Sequence, residues 1–164
     1  MAERVDPRNV NLGEAKVVKI NRTSATVKGG RRFSFSALVV IGDGNGVVGW
    51  GFGKARDTTN AIKKGERNAK KALYRIPLSG KTLPHETNGH FSACRVKLIP
   101  AGEGTGTIAG ATARAVLEAA GVQDVLTKIH GSNNAVNVVQ AVFDGLLKMR
   151  SKSEIEALRG VKIG

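Results

Sequence analysis

"NRTSATVKGGRRFSF", residues 21–35, sets a Gly-Gly pair between two strand-like runs and surrounds it with Lys28, Arg31 and Arg32. A hairpin tip needs one or two residues that accept positive φ, and glycine supplies them at low steric cost. The flanking runs carry the β-branched and aromatic residues favoured in strands. They predict two antiparallel strands joined at the Gly-Gly tip. A two-residue turn has no need of a cation cluster, so the excess charge points to a polyanion that approaches the tip closely.

Outward from the tip, "AKVVKINRTSATV" (15–27) and "RRFSFSALVVI" (31–41) are the two strands, "GDGNG" (42–46) is a turn, and "VVGWGFGKA" (47–55) is a third strand in which glycine alternates with Trp50 and Phe52. Together they predict a three-stranded antiparallel meander. Asp57 or Thr58 can cap a helix running to about Leu73. Ile62, Ala69, Ala72 and Leu73 are spaced to pack on the sheet, while Lys63, Arg67 and Lys70 recur at i, i+4 and i+7 with Lys64 and Lys71 beside them. Phe33, Phe35, Trp50 and Phe52 form i, i+2 pairs on neighbouring strands. They are expected as core between sheet and helix, rather than as a base-stacking surface like that of an RNA-recognition motif.

The 164-residue chain holds 26 Lys and Arg against 13 Asp and Glu, a net charge of +13. Such imbalance costs self-repulsion and makes nucleic acid or an anionic surface the natural partner. The charge is uneven: residues 1–80 hold 16 basic and 6 acidic side chains, residues 81–164 hold 10 and 7. Between Glu14 and Asp43 there is no acid, while Lys16, Lys19, Arg22, Lys28, Arg31 and Arg32 are all basic. No apolar run approaches the ~20 residues of a membrane span, and no helix joins cations to a strong apolar face, so no membrane partner is expected. The N-terminal stretch has no signal- or transit-peptide character. Cys94 is the only cysteine, which excludes an internal disulfide and a cysteine zinc site and fits a reducing cytoplasm.

"PLSGKTLPHETNG" (77–89) is rich in Pro, Gly and polar residues and marks a domain junction near residue 80. The division is a flexible segment 1–12, a first domain 13–80, a second domain 81–150 and a tail 151–164. Beyond the junction the pattern predicts a strand (90–101), a Gly-rich loop, a helix (106–120) stopped by Gly121, a strand (122–132) and a helix (133–149). Ser153 and Glu156 read as a capping box for a short terminal helix. "GTGTIA" (104–109) matches G-x-G-x-x-A, yet the acid that would hold a ribose, Asp124, falls at the start of its strand rather than the end, and no parallel βαβ entry precedes it. The loop reads instead as a tight strand-to-helix turn. "HETNGH" (85–90) spaces its histidines five apart, and Pro84 and Gly89 oppose a helix there, so no zinc site follows. Neither a nucleophile elbow nor a P-loop is present. No enzyme activity, cofactor or small-molecule substrate is expected.

"TVKGGRRFSFSALVVIGDGNGVVGWGFGKA" (26–55) and "PAGEGTGTIAGATARAVLEAAGVQDVLTKIHGSNNAVNVVQAVFDGL" (100–146) closely resemble the two halves of the bacterial small-subunit ribosomal protein five family. The likeness runs from about residue 12 to 160. It implies an α+β fold of two domains: a double-stranded-RNA-binding-like three-stranded sheet with one helix, then a four-stranded sheet packed with two helices. It implies a structural constituent of the small ribosomal subunit that binds small-subunit rRNA. It further implies contact with ribosomal proteins four and eight, a place near the mRNA entry path and an influence on decoding accuracy. Thr23, Ser24, Lys28, Gly29, Gly30, Arg31 and Arg32 match the family's rRNA-reaching loop near the spectinomycin site, where Ala25 stands in place of a lysine found in other members. Phosphate contacts are expected from these residues, from Lys16, Lys19, Arg22, Lys54 and Arg56, and from the helix cations Lys63, Lys64, Arg67, Lys70 and Lys71. Glu103, Gly104, Thr105, Gly106 and Arg114 match the region facing ribosomal protein four, and Ser153, Glu154 and Leu158 the part near ribosomal protein eight. A free-standing double-stranded-RNA-binding protein or RNA chaperone is the alternative.

Overall fold

The computed structural model describes residues 4–162. In chain order the elements are β1 (Arg4–Val5), a 3₁₀ turn (Pro7–Asn9), β2 (Lys16–Val27), β3 (Gly30–Gly42), β4 (Val47–Ala55), α1 (Thr58–Lys71), β5 (Leu73–Arg75), β6 (Thr87–Phe91), β7 (Cys94–Pro100), β8 (Thr107–Ile108), α2 (Ala111–Ala120), β9 (Val125–Gly131), α3 (Ala135–Lys148) and α4 (Lys152–Arg159). The fold is α+β with two sheets, ordered β1-β5-β4-β3-β2 and β6-β7-β9-β8. All ladders are antiparallel except that of β8 with β9.

The expected three-strand meander is the body of the first sheet, and two short strands extend it to five. Leu73, assigned by its spacing to the helix, instead opens β5, because α1 ends at Lys71. Of the flexible lead-in expected over residues 1–12, residues 1–3 lie outside the described residues, and residues 4–12 include β1 on the β5 edge, with Val5, Val10 and Leu12 packed against Ile41, Val47, Ala69 and Leu73.

The central strand β3 is buried on both faces from Ser36 to Gly42, so its run "ALVVI" is apolar throughout rather than alternating. On one face α1 covers Ala37, Val39 and Ile41. The helix lies directly on β4 because both sides are small. A Cβ at Gly51 would strike the Gly65 carbonyl and the Ala69 nitrogen, and one at Gly53 the Ala61 carbonyl. Ala61, Gly65 and Ala69, spaced four apart, form the buried stripe of α1. This corrects the expected aromatic core: Phe33 is 45% exposed and Phe52 41%, and the half-buried Trp50 packs on the opposite face. Only Phe35 lies in a cluster with the helix, beside Ile62.

On the other face Leu38, Val40 and Val48 belong to one cluster with Val116, Leu117, Ala120, Val122 and Leu146, so the two halves share a core. Backbone pairing reinforces it. The last carbonyls of a helix lack intrahelical partners, and here those of Ala119 and Ala120 accept the Gly44 and Gly46 amides, at 3.2 and 2.9 Å respectively. Asp43 fixes this turn by accepting the Asn45 and Val47 amides at 2.7 and 2.9 Å. Gly121 closes α2 with φ of 90°, and a Cβ there would collide with the Gly44 carbonyl.

In the second sheet, the single strand expected at 90–101 is a hairpin of β6 and β7, turning at Ser92 with φ of 52°. The helix expected from 106 begins at Ala111, since Thr107 and Ile108 pair with β9. The terminal helix is capped two residues earlier than expected: Ser151 and Glu154, not Ser153 and Glu156, exchange the capping-box hydrogen bonds, at 3.2 and 3.1 Å.

Candidate nucleic-acid interface

β3 pairs with β4 only from Phe35 to Gly42, whereas its ladder with β2 continues from Phe35 out to Gly30. The rungs from Thr23↔Ser34 to Val27↔Gly30 therefore project beyond the sheet as a two-stranded finger. The turn falls one residue before the expected Gly-Gly tip: Lys28 and Gly29 make it, and Gly30, with φ of 140°, already pairs with Val27. Every residue from Ile20 to Phe33 is exposed. A two-stranded ribbon alone is marginally stable in water, and cross-strand pairs supply what stability it has: the Arg22 guanidinium lies 3.8 Å from the Phe33 ring centroid, and Thr23 donates to the Ser34 carbonyl at 3.2 Å.

The finger cations Arg22, Lys28, Arg31 and Arg32, with Lys19 at its base, have no carboxylate partner among the ion pairs of the described residues. Lys16 differs, meeting Glu118 of α2 at 2.7 Å. Because Phe35 pairs with Ala55, the end of β4 and the first turn of α1 lie at the end of the sheet from which the finger projects. Lys54 and Arg56 are exposed there. A groove of about 590 Å³ is lined by Arg56, Asn60, Lys63, Lys64 and Arg67. Its one acid, Asp57, is occupied by the Asn60 amide at 3.0 Å. Lys64 bonds the Lys54 carbonyl at 3.4 Å, Lys71 is exposed, and Lys70 is engaged by Glu66 at 2.7 Å. The first sheet thus presents the finger and most of the helix cations together, with Lys16 and Lys70 partly neutralised.

The other two groups of sequence candidates lie in the second half, one on the Gly-rich loop and α2 and the other on α4. Asp124, 4% exposed, accepts the Gly106 amide at 2.9 Å, and Thr105 bonds the Gly102 carbonyl at 2.8 Å. The acid considered for a ribose is thus the latch of the Gly-rich loop. Glu103 and Gly104 stand exposed on that loop, Glu103 within 3.8 Å of Lys81, and Arg114 is exposed on α2. Ser153, Glu154 and Leu158 sit on α4, where Leu158 is 69% exposed and the groove beside the helix is lined by Leu78, Pro84 and His85. No cluster of three His, Cys, Asp or Glu exists among the described residues, and no described helix is long and apolar enough to cross a membrane.

Sequence reasoning missed the Arg22–Phe33 stack. The Gly-Gly tip concealed it: a turn at Gly29-Gly30 would put Thr26 opposite Phe33, whereas the observed turn one residue earlier puts Ser24 there and makes Arg22 its diagonal neighbour.

Comparison with known proteins accounts for nearly the whole chain. Residues 14–77 match the ribosomal protein S5 N-terminal domain and residues 89–159 the ribosomal protein S5 C-terminal domain. The chain belongs to the ribosomal protein S5 family. Relatives named small ribosomal subunit protein uS5 agree: that of Flavobacterium psychrophilum is 51% identical over 98% of this chain and 92% of its own length. That of Chloroflexus aurantiacus is 53% identical over 96% and 88%, and that of Rhodopirellula baltica 50% over 89% and 82%. The ribosomal protein S5 family is structural and non-catalytic, so the chain is a ribosomal protein and not an enzyme.

Proposed function

We propose that this ribosomal protein S5 family member anchors itself in the small subunit by gripping rRNA with the finger and the exposed cations at the start of α1. The observation that carries the reading is a two-stranded ribbon projecting past the sheet whose cations lack carboxylate partners among the described ion pairs. Lys28, Arg31, Arg32 and Arg22 meet phosphates, while Gly29 and Gly30, which have open space where a Cβ would stand, let the backbone come close. Lys19, Thr23 and Ser24 extend the contact along the ribbon, and Lys54, Arg56, Lys63, Lys64, Arg67 and Lys71 continue it along the groove, with Lys16 and Lys70 joining at its borders. The first half acts as a double-stranded-RNA-binding-like unit that reads backbone and shape.

The loop Glu103–Gly106 with Arg114 faces ribosomal protein four, and Ser153, Glu154 and Leu158 of α4 face ribosomal protein eight. Leu158 supports the second contact, since a large apolar side chain on a short surface helix is suited to burial by a protein neighbour. The mRNA entry path lies nearby, and the protein supports decoding accuracy by holding rRNA and its neighbours in register. The free-standing RNA-binder is not favoured for a chain matched to both S5 domains.

A tethered cleavage reagent tests the placement. Cys94 is buried, and burial pushes its thiol pKa up, so Ala25→Cys offers one reactive thiol. Cleavage of small-subunit rRNA confined to a few nucleotides around the derivatised finger supports the reading; assembled subunits with no cleavage near residue 25 contradict it.

A further inference from the structure

Phe33 is one of only seven aromatic residues in the chain, counting five Phe, one Trp and one Tyr, and it is 45% exposed. Side chains alternate across a strand, so Phe33, Phe35 and Ala37 share a face of β3. Phe35 and Ala37 pack in the cluster holding Ala61 and Ile62 of α1. Phe33 continues that face past the start of the helix, and the Arg22 guanidinium centre stands 3.8 Å from its ring centroid. Ser24 is directly opposite in the ladder, and Arg31 and Thr26 form the next rung on the same face.

We propose that Phe33 and the Arg22 guanidinium form a stacking site for one unpaired RNA base. The inference rests on the reading that the finger binds rRNA and adds what a phosphate grip lacks, a contact to a base. Unpaired bases are held against aromatic rings and guanidinium planes, and every base has the π-face required. A guanidinium stacked on a ring leaves its N–H edges directed outward, and the Arg22 side chain has no carboxylate partner among the described ion pairs to occupy them. They are free for the phosphate of the stacked nucleotide, and the Ser24 and Thr26 hydroxyls lie on the same face for the base edge. Charge complementarity selects RNA over an apolar protein side chain as the occupant: residues 15–42 contain six cations and no acid.

The test compares full-length Phe33→Leu and Phe33→Tyr with the parent for binding to a small-subunit rRNA transcript across a range of salt. Stacking carries no net charge transfer, so Phe33→Leu is expected to weaken binding by a similar factor, about 5- to 150-fold, at every salt concentration. The salt slope stays unchanged, and Phe33→Tyr retains binding. Equal affinity of Phe33→Leu and the parent overturns the stacking site. So does a loss of affinity in Phe33→Leu matched by lost amide protection of the finger in the free protein, which makes the ring merely a brace for the ribbon. If Phe33→Leu has no effect while removal of the finger cations flattens the salt slope, stacking falls and the phosphate grip stands. If neither has an effect, the grip itself falls.

Discussion

The Lys16 ammonium of β2 lies 2.7 Å from the Glu118 carboxylate of α2, tying strand to helix across the boundary between the halves. Both side chains are more than two-fifths exposed, and an exposed ion pair contributes about 0–1 kcal/mol. The buried residues beside it decide the matter: each fully buried Leu or Val contributes about 1.5–3 kcal/mol, and Leu38, Val40 and Val48 share a core with α2 and α3. Urea denaturation of Glu118→Gln is therefore expected within about 1 kcal/mol of the parent, while Leu38→Ala loses about 2–5 kcal/mol. A large loss in Glu118→Gln with a small one in Leu38→Ala would mean that charge, not the shared core, holds the halves together.

Gly51→Ala is expected to destabilise by about 3 kcal/mol, because the new methyl meets the backbone of Gly65 and Ala69, which has no rotamer by which to yield. Gly29→Ala, where a Cβ meets nothing within 4 Å, is the control and leaves the midpoint nearly unchanged. Equal midpoints for the two variants would show that α1 does not rest on the glycine row of β4.

The same device explains where the fold was legible in sequence and where it was not. The Gly-Gly tip and the β-branched runs announced β2, β3 and β4 and the finger's cations. The packing between sheet and helix was misjudged because large side chains were expected to face α1, whereas a helix lying on backbone needs small ones and leaves Trp50 and Phe52 to the other side. β6 was hidden for the same reason: its only buried residue is Gly89, whose Cβ would strike the Ala141 carbonyl of α3, so no apolar alternation marks it. The capping box was ambiguous because S-x-x-E occurs at both 151–154 and 153–156, and only the geometry chooses between them. The placement of cations on finger and helix was legible, but not that Lys16 and Lys70 meet acids, since Glu118 is 102 residues away from the first.

Asp144 joins α3 to β6. Its burial alone would raise the carboxyl pKa, but the hydrogen bond from Lys148 and that from the His90 amide at 2.8 Å outweigh it, and the pKa lies below the ordinary aspartate value. A carboxylate with a lowered pKa adds stability above the unfolded value, about pH 4, and loses it as pH falls through the lower folded value. Asp144→Asn is therefore expected to be modestly less stable than the parent at neutral pH, with the two converging below about pH 4. Thermal midpoints across that range check this; a constant difference at all pH values would remove the charge from the explanation.

The salt dependence of rRNA binding bears most directly on the finger as a phosphate grip. Each phosphate neutralised contributes about 0.7–0.9 to the slope of log affinity against log salt. Replacing Lys28, Arg31 and Arg32 together by alanine is expected to flatten that slope by about two to three units while the thermal midpoint stays near that of the parent, since all three side chains are exposed. A variant that folds normally and binds small-subunit rRNA with the parent's slope would contradict it.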